Sequence, residues 1–221
     1  MPPPSPIPAA EAPHDCPRCP RLAALRHQLR AEHPDWWNAP VPAFGDAQAW
    51  LAIVGLAPGK HGANRTGRPF TGDYAGDLLY ATLAKFGFTQ GTYQSRADDG
   101  LTLQGAVIVN AVKCLPPQNK PETGETHNCH PFLDAAVVAL PRARVYIALG
   151  RIAHQSVVKA LGGRLPKAPF AHLGEHALPG GRTLLDSYHC SRYNTNTGRL
   201  TPAMFEAVFA RALILGQHGR A

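Results

Sequence analysis

Five cysteines are spread through the 221 residues, and four of them are spaced for metal chemistry. Cys16-Pro17-Arg18-Cys19 is a C-x2-C pair, while Cys114 and Cys129 each stand near the end of an expected strand or helix. Four such thiolates can hold a [4Fe–4S] cluster or a structural zinc ion. The second half is not itself C-x2-C, so no standard zinc ribbon is matched. Both metals therefore stay open at this point. Cys190 is left over as a free thiol. The opening residues carry prolines but no basic n-region and no apolar core, so no export signal is read and metal ligation is favoured over structural disulfides. The expected compartment is the cytoplasm.

Three further segments carry chemistry. Gly55-Leu56-Ala57-Pro58-Gly59-Lys60 is small and apolar, so a ligand can approach its backbone closely and use its N–H groups. It matches neither a Walker A loop nor G-x-G-x-x-G, which removes the usual signatures for nucleoside triphosphates and dinucleotides. Phe70 follows in a Gly/Pro-rich loop, either as a stacking platform or as an apolar anchor, and Asp73 is placed to cap a helix. Asn110 is a lone amide in the run Val107-Ile108-Val109-Asn110-Ala111-Val112 and must find partners or bear a burial cost. An amide offers donor and acceptor side by side, which suits reading a base edge. The last segment, 187–201, is polar, aromatic and basic at once, as nucleic-acid contact requires. A Cys190–His189 hydrolase is disfavoured, because neighbours in an extended segment point opposite ways.

The elements that must position these residues alternate in type. Apolar runs at 50–56, 106–112, 144–149 and 183–188 read as core strands. Helical patterns fall at 18–30, 77–86, 131–140 and 152–161, and a last helix starts at Thr201-Pro202. Asp99-Gly100 sits between 92–95 and 101–104 as a hairpin insertion. The expectation is an α/β fold: a three-layer α/β/α sandwich around a central, mostly parallel four-stranded sheet. Ligands then sit beyond the carboxyl ends of the strands, where the segments above lie. Residues 1–15 are Pro/Ala-rich and read as a disordered tail, with 16–221 as a single domain.

Composition agrees with a globular chain that acts on polyanions. The hydrophobic fraction is 44% and the charged fraction 17%, which excludes a disordered chain or a coiled coil. No apolar stretch is long enough to span a bilayer. The net charge is +7, from 22 basic and 15 acidic residues. Sixteen of the basic residues are arginine, whose forks match phosphate oxygens.

Taken together, these motifs resemble the uracil-DNA glycosylase superfamily, and within it the type 5 (thermophile-type B) iron–sulfur branch. The resemblance runs from about Cys16 to Thr201. It is carried by the segment from Gly55 through Asp73, by Asn110 to Cys114, by His189 through Thr201, and by the four cysteines. Type 4 relatives have an acidic residue where this chain has Leu56. Two departures stand out: Cys190 occupies the proline position of the family's His-Pro-Ser motif, and Lys60 stands where a small residue is common.

The resemblance implies a monofunctional enzyme that extrudes deoxyuridine from DNA and hydrolyses its N-glycosidic bond, leaving an abasic site for base excision repair. Other deaminated bases such as hypoxanthine are implied as further substrates. Asp73, His189 and Asn110 would be catalytic, and Gly55, Ala57, Pro58, Gly59, Phe70 and Asn110 would bind the base. Lys60, Arg65, Arg192, Tyr193, Asn194 and Arg199 would contact DNA. Cys16, Cys19, Cys114 and Cys129 would hold a [4Fe–4S] cluster with a structural role, zinc being the alternative. The working unit expected is a monomer without membrane contact. The alternative reading is a catalytically weak Fe–S module on the same fold that binds nucleic acid and senses damage.

Overall fold

The computed structural model describes residues 3–218. After a 3-10 turn at Pro8–Ala10 come helix α1 (Pro20–Glu32) and strands β1 (Phe44–Gly45) and β2 (Leu51–Gly55). Next are α2 (Ala63–Thr66), α3 (Tyr74–Lys85), β3 (Thr89–Gln90), β4 (Thr102–Leu103) and β5 (Ala106–Asn110). The second half holds α4 (Thr123–Ala139), β6 (Val145–Leu149), α5 (Arg151–Ala160), β7 (Glu175–Leu178) and β8 (Arg182–Ser187), then α6 (Arg192–Asn196) and α7 (Pro202–His218).

The central sheet has six strands in the order β1-β5-β2-β6-β8-β7, not four. The inner four are mutually parallel and are the four apolar runs expected. The two additions are antiparallel edges. β1 has only two residues, and β7 alternates exposed with partly buried positions, so neither leaves an apolar run to read. Alternate residues of each inner strand feed opposite cores. Ala52, Val54, Val107, Val109 and Tyr146 meet α4 and α5 through Leu133, Val137 and Val157. Leu51, Ile53, Ile108 and Ile147 meet α3 and α7 through Leu79, Leu83, Phe205 and Phe209. Period-two alternation with both faces apolar is what places a helix layer on each side.

Three local expectations are corrected. The helix expected at 131–140 starts at Thr123, because Glu122 and Glu125 form a capping box, and Pro131 is carried inside it at the loss of one backbone hydrogen bond. The hairpin expected at 92–95 and 101–104 pairs instead as β3 with β4, Thr89 opposite Leu103. Finally, the segment expected to be a disordered tail packs onto the domain. Ile7 and Ala10 are buried, and Glu11 accepts hydrogen bonds from Ala43 N (2.8 Å) and Lys113 Nζ (3.0 Å). Residues 1 and 2 of that segment, and 219–221 at the other end, lie outside the described residues.

Candidate active site

The carboxyl ends of β2 and β5 lie side by side, with Gly55 in register with Asn110. That register brings two side chains over one glycine. A Cβ on Gly55 would lie 2.6 Å from Asn110 Oδ1 and 2.6 Å from Phe70 Cε2, so only glycine leaves room for both. Asn110 is 3% exposed, and its Oδ1 is buried without a hydrogen-bond partner. An orphaned amide oxygen inside a cleft is costly unless a ligand completes it.

Phe70 has φ +52°, a left-handed conformation that an aromatic residue rarely holds. The surroundings fix it from below. Tyr93 Oη donates to the Phe70 carbonyl (3.2 Å) and accepts from Gly72 N (3.3 Å), while Tyr80 Oη donates to the Pro69 carbonyl (2.8 Å). Arg68 donates to Thr71 Oγ1 (2.8 Å) and pairs with both oxygens of Asp99 at 2.7 Å, its guanidinium boxed by Phe44, Tyr80 and Tyr93. Strain of this kind persists only where neighbours over-determine it.

The cleft above this floor has a volume of about 640 Å³ and takes its walls from Leu56, Ala57, Gly59, Phe70, Asp73, Asn110, His189 and Arg192, among others. Asp73 caps α3 by accepting from Gly76 N (3.1 Å). Its other oxygen, Oδ2, faces Gly59 and Gly62, where added Cβ atoms would come within 3.0 and 2.2 Å of it. Burial raises its pKa above the usual carboxylate range, against the hydrogen bond from Gly76 that lowers it. Cap and cleft residue are thus one side chain used twice. The His189 ring lies 6.0 Å from the Phe70 ring, centroid to centroid, and is tilted 29° from it, and burial alone pushes its pKa down to about 4. It is a neutral imidazole at physiological pH.

The remaining expected residues divide. Arg192 reaches the cleft and sits 5.3 Å over Tyr74, Tyr193 is 73% exposed on α6, and Arg199 lies 4.6 Å over Tyr188. Asn194 is half-buried, and its amide donates to the His189 carbonyl (2.8 Å) and braces that residue. Lys60 is exposed and Pro58 buried. Arg65 lies beside the cleft, donating to the His61 carbonyl (2.9 Å). Cys190, in place of proline, is fully buried with Sγ 3.5 Å from the Ala75 carbonyl, so the loop is anchored through its thiol. Sequence reasoning missed His61, Tyr74, Asn119 and Ser191, which also line the cleft. His61, Tyr74 and Ser191 adjoin singled-out residues; Asn119 reaches the rim through consecutive left-handed residues, Gln118 (φ +55°) and Asn119 (φ +57°), which no glycine announces.

Cys16, Cys19, Cys114 and Cys129 surround one small apolar cavity with Leu22, Arg26 and Phe132. The surroundings of the sulfurs suit an anionic metal group. Arg26 Nε is buried without a partner beside the cavity, and N–H donors face the sulfurs, Lys113 N to Cys129 Sγ at 3.2 Å and Arg26 Nη1 to Cys114 Sγ at 3.8 Å. Positive and N–H groups converging on thiolates fit an anionic cluster.

The chain is similar to known proteins over most of its length. Residues 42–213 match the family model of the uracil DNA glycosylase superfamily. The chain is 46% identical to a type-5 uracil-DNA glycosylase of Thermus thermophilus over 202 residues, covering 89% of this chain and 92% of the relative. It is 41% identical to a type-5 uracil-DNA glycosylase of Pyrobaculum aerophilum, covering 90% and 88%. A type-4 uracil-DNA glycosylase of the same organism is 34% identical over 58% of this chain.

Proposed function

The chain belongs to the uracil DNA glycosylase superfamily, and from that premise we infer that its cleft excises uracil from DNA, leaving an abasic site for repair. The observation that carries the inference is the orphaned Asn110 amide set against the Phe70 ring over Gly55. That pair offers one aromatic face and one hydrogen-bonding edge, which is what a single flat base presents in return. The non-catalytic sensing alternative is not favoured, because a surface reader has no use for a buried orphan beside a carboxylate and a neutral imidazole.

The reaction breaks the C1′–N1 bond, and its electron pair leaves with the base as an anion. Water supplies oxygen to C1′ and gives up one proton. Asp73 takes or orients that proton, and its burial makes it a stronger base than a solvated carboxylate. His189, being neutral, donates a hydrogen bond to the departing uracil without carrying a charge that must be desolvated. Leu56 and Ala57 put an apolar wall with no acid just after β2, and this open wall admits hypoxanthine as a further substrate. Arg192, Tyr193 and Arg199 face the duplex, Tyr193 entering the gap left by extrusion. Lys60 and Arg65 add phosphate contacts.

Cys16, Cys19, Cys114 and Cys129 hold a [4Fe–4S] cluster in this reading, which when bound supplies a covalent bridge between the start of α1 and the segment ending in α4. The working unit is a single chain, and the compartment is the cytoplasm, where the DNA is. No helix among the described residues is long and apolar enough to cross a membrane. The test is base release from oligonucleotides carrying uracil, hypoxanthine, xanthine or hydroxymethyluracil. Alkali-labile sites at uracil, with strands intact before alkali, are expected. Unchanged uracil strands after alkali overturn the function, and a colourless purified protein containing zinc overturns the cluster.

A further inference from the structure

Next to the base cleft lies a second open groove of about 500 Å³, with Trp36, Trp37, Arg65 and Arg96 in its walls and the acids Asp35 and Asp98 at its side. The two depressions share a boundary. Trp36 meets the His61 ring edge-on at 5.5 Å, His61 lines the base cleft, and Arg65 Nε donates to the His61 carbonyl. Trp36 is only partly buried, so it is not a core residue. Its ring is already stacked on His33, centroids 3.9 Å apart and 9° from parallel. A stacked indole at a surface is a rigid platform that binds a flat partner with little further loss of freedom.

Two arginines and two acids line the groove, so a phosphate would be held by an individual guanidinium fork and not by net charge. Arg65 has no carboxylate partner among the described residues. Arg96 is held only by an exposed contact to Asp98 at 3.4 Å, a pair worth little and readily exchanged for phosphate. An aromatic platform flanked by arginine forks suits single-stranded nucleic acid, in which unpaired bases stack and phosphates track the cations.

We infer that this groove is a second nucleotide subsite, stacking an unpaired base that flanks the extruded nucleotide on Trp36 and holding its phosphate on Arg65. The inference rests on the proposed glycosylase reading and deepens it, because it makes uracil in single strands or frayed ends a favoured substrate.

The test uses the full chain with matched single-stranded and duplex uracil oligonucleotides. Trp36→Ala raises KM on the single strand by about tenfold with kcat kept, while Trp36→Phe stays near the parent, as loss of one stacked base predicts. The duplex KM moves far less. 2-Aminopurine placed beside uracil, on each side in turn, is quenched on binding at one position, and that quenching vanishes in Trp36→Ala. Arg65→Gln, which leaves the stack intact, flattens the salt dependence of single-strand binding by about one unit of log–log slope. Uracil release by the parent together with an unmoved single-strand KM and no quenching at either position overturns the subsite alone. Absence of release from either substrate overturns the glycosylase reading instead.

Discussion

Two polar regions lie within one loop's thickness of each other, and they are built on opposite terms. Below Phe70, Arg68 spends its donors on Asp99 and Thr71, Asp99 also accepts from Gln94 N and Leu101 N, and the Tyr80 and Tyr93 hydroxyls close on backbone. Above Phe70, Asn110 Oδ1 has no partner, and burial alone lowers the pKa of His189. The contrast teaches where a ligand belongs. A closed network fixes geometry and gains nothing from a guest, whereas an open one is unfavourable until a guest arrives.

The hardest way to break that contrast is Asp99→Ala. It strands the Arg68 guanidinium, whose side chain is 1% exposed, and removal of one partner of a buried pair costs about 3–5 kcal/mol. Urea unfolding of the variant measures this. A cost below about 1 kcal/mol, typical of a surface pair, would show that the loop is not clamped from below. Asn110→Ala is the mirror case. It removes an orphan rather than making one, so stability holds or rises while uracil release falls by about 100-fold, the scale of a lost transition-state hydrogen bond. Stability and activity falling together would make the amide structural.

The same contrast marks what the sequence could reveal. The four parallel strands were legible because both of their faces are buried, and the site residues were legible from their places around those strands: Gly55 and Asn110 end β2 and β5, His189 follows β8, and Phe70 and Asp73 stand in the Gly/Pro-rich segment between β2 and α3. The network below was not. Arg68 and Asp99 are 31 residues apart, and only the β3–β4 turn carries the acid back under the loop. Nor could spacing say that Asn194 turns inward to the His189 carbonyl, since an amide in a polar loop reads equally well as a DNA contact. Local pattern reports an element's type and its apolar face. It is silent on which distant polar groups will close on one another.

A finer cut is Tyr93→Phe, which keeps the ring stacked on Tyr80 at 4.4 Å and deletes only the hydroxyl that holds Phe70 O and Gly72 N. Stability drops by about 1 kcal/mol. Because the platform loosens while its surface survives, kcat falls about fivefold and KM stays within about twofold. A rise in KM at constant kcat would mean that Tyr93 serves binding rather than alignment.

The smallest expected effect is an absence, and it tests the open region most directly. An ordinary histidine titrates near 6.5, but burial holds His189 at about 4. Between those values the unfolded chain takes up a proton that the folded chain refuses. The stability from His189 is therefore complete above about 6.5 and is lost as pH falls toward 4. For catalysis the sign is the same, since the neutral ring is the donor and persists through that window. Asp73 supplies the acid limb instead, as the rate rises with its ionisation at a pH above the usual range for aspartate. The kcat profile thus carries an acid limb from Asp73 and none from His189. A loss of rate centred at 6.5 in the parent, abolished in His189→Asn, would mean that water solvates the imidazole as it does at a surface, and the cleft could not then sharpen a hydrogen bond to the departing base.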